Sequence, residues 1–181
     1  MIRLLGSLFL LFHATASFAG GFKSFTEENE RIKAKVICND VGVSPHFGAS
    51  GKLFGCIAGK AMTVKLFVNE TKDKNRVENI KLMWNDWFID TGYGLHADKS
   101  EAEQFVKAVA DLYAPTQKAK LMKVFFASNN EIWSGGLFKF AFTISRGPKI
   151  DERLLTITEQ SLKQEPSEKL HSSVVPKTAL S

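Results

Sequence analysis

The sequence predicts an α+β domain, in which an antiparallel sheet of about four strands (two hairpins) is packed by about three helices on one face and carries one disulfide. Three observations lead to this fold class. Apolar and polar residues alternate in four short segments, apolar residues recur at helical spacing in other segments, and the chain has only two cysteines. The apolar content of 44%, which includes fifteen phenylalanines, is sufficient for a hydrophobic core.

Residues 1–19 have the layout of a secretory signal peptide. Arg3 supplies a positive charge, residues 4–12 are almost entirely apolar, and small residues precede Gly20. The apolar run is much shorter than the roughly 20 residues that a membrane-spanning helix needs. We therefore expect cleavage before Gly20, with Ser17 as the second choice, and a periplasmic or secreted protein with no stable membrane insertion. The alternative is a hydrophobic first helix of a cytosolic domain.

The first element expected after this segment is a helix over residues 25–38. Ser24 and Glu27 have the spacing of a capping box, which is typical of a helix start. The alternation of apolar and charged residues around Ile32 leaves a strand as the alternative.

Cys38 and Cys56 are expected to form a disulfide, because an exported chain reaches an oxidising compartment. The segment between them, NDVGVSPHFGASGKLFG, is rich in Gly, Ser and Pro and is predicted to be a loop that the disulfide closes. A catalytic thiol is the alternative, but His46 is the only nearby base and no nucleophile signature surrounds either cysteine.

Two hairpins account for the predicted sheet. Alternation over residues 62–68 and 80–84 predicts the first hairpin, joined by the polar turn NETKDKNR. Alternation over residues 138–144, followed by the turn SRGPKID and by apolar residues at 155 and 157, predicts the second.

Two helices are predicted between the hairpins. Ser100 and Glu103 have capping-box spacing, the following residues have an apolar face, and Pro115 ends the pattern. The segment TQKAKLMKVFFASNN repeats the helical spacing and ends near Asn129. Together these elements give a single globular domain over residues 20–159.

Residues 160–181 are polar, contain proline and lack periodicity, so a disordered tail is predicted. The net charge is +5, or +4 without Arg3, which is a mild bias that suits an anionic protein or envelope polymer as partner. We find no glycine-rich phosphate loop and no basic arm for nucleic acid, so neither a nucleic-acid partner nor a cofactor is expected.

The most unusual segment is MWNDWFIDTGYGLHAD, residues 83–98, between a predicted strand and a predicted helix. Loops in such positions often carry binding groups, and large aromatic side chains contribute strongly to interfaces. The tentative binding residues are therefore Trp84, Trp87, Tyr93 and His96, with Trp133 before SGGLF. The competing interpretation is that the tryptophans belong to the core, most of all Trp84.

Metal binding and catalysis have weaker support in this segment. Asp86, Asp90, His96 and Asp98 are ligand types, but their spacing matches neither a calcium loop nor a zinc motif, so no metal site is predicted. No Ser, His and acid arrangement is recognisable, and no catalytic residue is assigned.

We therefore expect a small exported protein without catalytic activity. It would bind another envelope or secreted macromolecule through an exposed sheet face or through the segment from Trp84 to His96. The alternative is an exported hydrolase that uses His96 as a base with Asp86 or Asp90 as its orienting acid. A third hypothesis is a periplasmic stress or chaperone-like factor that uses its tail as a tether.

Overall fold

The computed structural model describes residues 21–45, 51–72 and 75–160. Within these ranges the chain forms three helices and seven strands. In chain order they are α1 (Phe25–Lys33), β1 (Asp40–Pro45), β2 (Lys52–Ala58), β3 (Val64–Glu70), β4 (Val77–Trp87), α2 (Lys99–Tyr113), α3 (Lys118–Phe125), β5 (Glu131–Gly135), β6 (Phe138–Arg146) and β7 (Ile150–Glu159). The predicted signal peptide, His46 and the predicted tail from residue 161 lie outside the described residues.

The seven strands form one antiparallel sheet in the order β1-β2-β3-β4-β7-β6-β5. The two predicted hairpins are present as β3–β4 and β6–β7. The prediction of about four strands is wrong, because it omitted β1, β2 and β5. Both β1 and β5 are edge strands. β1 exposes every one of its residues, and its alternation is limited to Val41 and Val43 within a segment whose Gly, Ser and Pro favoured a loop.

All three helices pack on one face of the sheet. Tyr113 of α2 lies edge-on to Phe138, and Phe125 of α3 contacts Phe142. From α1, Ile32 enters the same core cluster. Each large apolar side chain buried in this layer contributes about 1.5–3 kcal/mol relative to leaving it exposed.

The opposite face of the sheet has no helix over it in the part of the chain that the structure describes. At its centre, strand register pairs Phe67 with Lys81, Lys65 with Met83, and Met83 with Leu154. These side chains are all half-buried by their neighbours. We call this surface the open face.

The start of α1 agrees with the predicted helix over residues 25–38, but its end does not. Ser24 and Glu27 form the predicted capping box, in which the Glu27 amide donates to Ser24 Oγ. The helix ends at Lys33 rather than at residue 38, and the chain then turns so that Cys38 can reach β2.

The start of α2 differs from the prediction. The Ser100 hydroxyl donates to Glu101 at 2.8 Å and forms no capping box with Glu103. Asp98 occupies the cap position with a left-handed backbone, and its carboxylate does not cap the helix.

The disulfide between Cys38 and Cys56 is present, with a Cα–Cα distance of 5.4 Å. It joins the segment before β1 to the middle of β2, where Cys56 is fully buried. The segment that it encloses was predicted as a loop, but it contains β1 and most of β2. No helix in the described ranges is both long and apolar enough to cross a membrane.

Candidate functional site

The segment that the sequence analysis singled out forms the end of β4 and the loop that leads to α2. We call residues 88–98 the β4–α2 loop. The amide of Phe88 donates to the carbonyl of Lys149 at 3.2 Å, next to the start of β7. The amide of His96 donates to the carbonyl of Trp87 at 2.7 Å, which closes the loop at its base. The two ends of the loop are therefore held together.

Asp90 fixes the middle of the β4–α2 loop. Its Oδ1 accepts hydrogen bonds from the amides of Gly92 at 2.7 Å and Gly94 at 2.8 Å. Both glycines have positive φ, +99° and +85°, which other residues adopt at a cost. The Gly94 amide and then the Gly92 amide lower the pKa of the Asp90 carboxyl. Asp90 is therefore engaged in an Asx-type turn, and it does not orient His96.

His96, Asp86 and Arg153 form a continuous polar chain at the base of the loop. His96 Nδ1 lies 2.6 Å from Asp86 Oδ1, and Arg153 Nε donates to Asp86 Oδ2 at 3.1 Å. Asp86 is buried on the inner face of β4, whereas 52% of the His96 side chain is exposed. Of the two acids that the sequence offered as partners of His96, the structure brings Asp86 to it.

Arg153 was not found by the sequence analysis. Its guanidinium also donates to the carbonyl of Ala127 at 2.7 Å, just after the end of α3, and lies over the ring of Trp84. The sequence could have predicted that Arg153 is buried. It lies two and four residues before Leu155 and Ile157, and alternate residues of a strand face the same side of the sheet. A buried guanidinium needs a carboxylate, and strand register places Asp86 close to it.

Two of the five tentative binding residues lie in the interior. Trp84 is 1% exposed, and its indole N–H donates to the carbonyl of Ala97 at 3.0 Å. Trp133 on the β5 edge is 8% exposed, stacks on Phe140 and donates to Gln117. A partner could not reach Trp84 without opening the core, and both tryptophans have structural contacts that account for them.

The exposed apolar side chains of this region belong to the β4–α2 loop. Phe88, Tyr93 and Leu95 are 40%, 52% and 63% exposed, and we call them the loop patch. Trp87, which precedes them, is half-buried at the end of β4. Phe88 and Leu95 were not singled out from the sequence. A signal was present, because they lie in a glycine-rich segment without the periodic apolar pattern that predicts burial.

The potential metal ligands of the segment do not converge. Asp98 accepts hydrogen bonds from the amides of Ala61 and Thr63 and from the Thr63 hydroxyl, so it holds the β2–β3 turn. Asp90 is bound to its own glycine amides. Among the residues that the structure describes, no three His, Cys, Asp or Glu side chains are grouped so that they could hold a metal ion.

Comparison of the chain with protein-family models, with curated proteins and with solved structures gave no match.

Proposed function

We propose that the protein is exported and acts without catalysis, by binding another protein of the envelope or secreted space through the loop patch. The observation that carries this proposal is the exposure of Phe88, Tyr93 and Leu95 within one short loop. Large apolar side chains grouped at a surface are typical of interaction sites. Tyr93 adds a hydroxyl that can form hydrogen bonds at the edge of an interface.

The fixed backbone of the loop supports the same proposal. Ordering a flexible loop on association costs binding free energy, and a loop that is already ordered avoids this cost. The β4–α2 loop is held by the Asp90 turn, by the His96 amide and by the His96–Asp86 contact. The loop patch is therefore presented on a prearranged backbone.

The loop patch is a better candidate than the open face. The apolar side chains at the centre of the open face, such as Phe67 and Met83, are half-buried and have lysines between them. The three side chains of the loop patch are at least 40% exposed and can bury more apolar area against a partner.

Export is supported by the signal-peptide pattern of residues 1–19 and by the Cys38–Cys56 disulfide. The test is an intact-mass measurement on natively produced protein, with and without reduction and alkylation. We expect a chain that starts at Gly20 and two cysteines that react only after reduction. A chain that starts at Met1 with reactive thiols would contradict export, whatever the loop patch does.

The binding proposal can be tested by site-specific photocrosslinking in the native host. A benzophenone amino acid replaces Tyr93 in one variant and Ile132 in a control variant, since Ile132 is 67% exposed on the distant β5 edge. We expect a discrete protein adduct from position 93 and none from position 132. Equal labelling at both positions, or a heterogeneous polysaccharide adduct, would contradict a protein partner at the loop patch.

The second candidate function is the hydrolase, which the His96–Asp86 contact favours. A carboxylate on Nδ1 leaves Nε2 of a half-exposed imidazole available as a general base. Against it, Asp86 also binds Arg153, and His96 has no hydrogen bond to a hydroxyl or thiol of the described chain. Hydrolysis of p-nitrophenyl acetate by the wild type, lost in His96→Asn and kept in Tyr93→Ala, would favour the hydrolase over the binding protein.

A further inference from the structure

A second region, separate from the β4–α2 loop, has the features of a binding site. A cleft of about 880 Å³ lies between α1 and the first two strands of the sheet. Its described lining includes Phe25 and Asn29 of α1, Val41 and Val43 of β1, and Lys52 and Phe54 of β2. The volume is within the range of sites that bind small molecules or peptide side chains.

The buried side-chain oxygen of Asn29 is the first feature of the cleft that points to a ligand. Asn29 is 6% exposed, and its Oδ1 is buried without a hydrogen-bond partner in the described part of the chain. An unpaired buried acceptor lowers the stability of the fold, so its presence on the wall of a cleft needs an explanation. The oxygen is fully covered, so an O–H or N–H donor of a ligand would satisfy it after a rotation of the Asn29 side chain toward the cleft.

The position of β1 at the edge of the sheet is the second feature that points to a ligand. The strand pairs with β2 on one side, and within the described ranges it has no strand on its other side. Val41 and Val43 line the cleft and are 50% and 56% exposed, and within the described residues α1 packs mainly on β3 rather than on β1. An open edge with apolar side chains at alternate positions is a template for an additional strand.

Lys52 supplies charge complementarity at one end of the cleft. It lies opposite Pro45, where β1 ends. Its ammonium group has no ion pair within the described residues, whereas Lys33 on the opposite wall is paired with Glu30. An acidic side chain of a ligand would therefore find an available cation at the Pro45 end.

From these observations we propose that the α1–β1 cleft binds an extended peptide segment of another protein, which adds to β1 as an eighth strand. Alternate residues of the peptide face the cleft. They are apolar over Val41 and Val43, and they include a hydroxyl or amide donor for Asn29 and a carboxylate for Lys52. This site is distinct from the loop patch and does not depend on it.

The probe for this proposal is a phage-displayed library of random dodecapeptides, panned against the full folded chain. Enriched sequences are synthesised with fluorescein, and their affinity is measured by anisotropy. We expect apolar residues at alternate positions with one acidic residue, and at least a tenfold loss of affinity in Val43→Lys. The matched control is Ile132→Lys on the other edge strand, which should bind the peptides as the wild type does.

Asn29→Leu separates a binding role from a structural one. We expect this variant to bind the selected peptides at least fivefold more weakly while its urea midpoint is unchanged or raised, because an unpaired oxygen has been removed. Lys52→Glu should also weaken binding, and a peptide whose acidic residue is replaced by lysine should restore it. A lower midpoint in Asn29→Leu with unchanged affinity would overturn the proposal.

Three further outcomes would overturn it. The first is a library that yields no peptide sensitive to Val43→Lys. The second is peptides whose binding is lost in Tyr93→Ala instead, which would assign them to the loop patch. The third is a wild-type dimer that Val43→Lys dissociates, because the β1 edge would then pair with a second copy of the chain.

Discussion

The imidazole Nδ1 of His96 lies 2.6 Å from Oδ1 of Asp86, and the same carboxylate binds Arg153 through its other oxygen. Asp86 therefore links His96, in the last part of the β4–α2 loop, to the buried side chain of Arg153 in β7. The two halves of this arrangement differ in burial, since the Asp86 and Arg153 side chains are 6% and 11% exposed but that of His96 is 52% exposed. The Asp86–Arg153 contact should therefore contribute more to stability than the His96–Asp86 contact.

We expect Asp86→Ala to lower the free energy of unfolding by about 3–5 kcal/mol, because it leaves the Arg153 guanidinium buried without a carboxylate. His96→Ala should cost less than about 1 kcal/mol, because the imidazole is half in solvent, which weakens its contact with Asp86. Urea denaturation of both variants measures the difference. The double variant Asp86→Leu/Arg153→Met should recover much of the loss, and similar losses in the two single variants would contradict this account of the polar chain.

A second prediction concerns the buried contact between α1 and α2. The Tyr113 hydroxyl donates to the carboxylate of Glu28, which is fully buried and also binds Arg31 and the amide of Lys23. Burial, followed by the charge of Glu28, raises the pKa of Tyr113 far above its ordinary value of 10.0. The unfolded chain ionises this tyrosine near pH 10 and the folded chain does not, so stability is fully present below that pH and declines above it.

The chain has two tyrosines, and Tyr93 is exposed. A spectrophotometric titration at 295 nm of Tyr93→Phe therefore follows Tyr113 alone, and the ionisation of Tyr113 should coincide with unfolding. Tyr113→Phe should remove this step. Ionisation of Tyr113 while the protein is still folded would show that Tyr113 is accessible to solvent.

The strands that the sequence predicted are those with one side buried in the core and the other side toward solvent. In β3 and β7 the pattern of apolar residues reports burial directly, for example at Leu66 and Leu155. In β5 only Trp133 is buried, and no apolar alternation marks the strand. In β1 neither face is buried, and the alternation is limited to Val41 and Val43. β2 does alternate, through Phe54 and Cys56, but its glycine and flanking Gly-Ser segment favoured a loop.

The candidate site was only partly accessible to the same reasoning. Asp86 follows Leu82 and Trp84 at the spacing of inward-facing residues in β4, so its burial could have been inferred. Arg153 is distant in sequence, and its contact with Asp86 depends on the β4–β7 pairing, which the sequence does not specify. The exposure of Phe88 and Leu95 depends on the loop conformation, which the Asp90 turn determines.

The disulfide should be required for the stability of the first half of the sheet. Cys38 and Cys56 are 18 residues apart in sequence, and closing a loop of this size stabilises a fold by about 3 kcal/mol through the unfolded state. We expect Cys38→Ser/Cys56→Ser to lower the free energy of unfolding by about this amount. Amide exchange should increase most in β1, which among the described strands pairs with β2 alone, and much less in β6. A uniform increase across the sheet would show that the disulfide does not act locally on the β1 edge.

The last prediction concerns the pH dependence of the β4–α2 loop. The amides of Gly94 and Gly92 hold the pKa of the Asp90 carboxyl below its ordinary value of 3.8. The turn is therefore fully formed above pH 3.8 and is lost only as the pH falls through the lowered pKa. In an NMR titration, the amide shifts of Gly92 and Gly94 should move together with a midpoint below 3.8.

Two variants of Asp90 test the same turn. Asp90→Asn keeps an acceptor oxygen, so it should remove this titration and retain the two hydrogen bonds. Asp90→Ala should release the loop at every pH and weaken crosslinking from position 93. A midpoint above 3.8 in the wild type would contradict the Asp90 turn, because the amides would then not be stabilising the carboxylate.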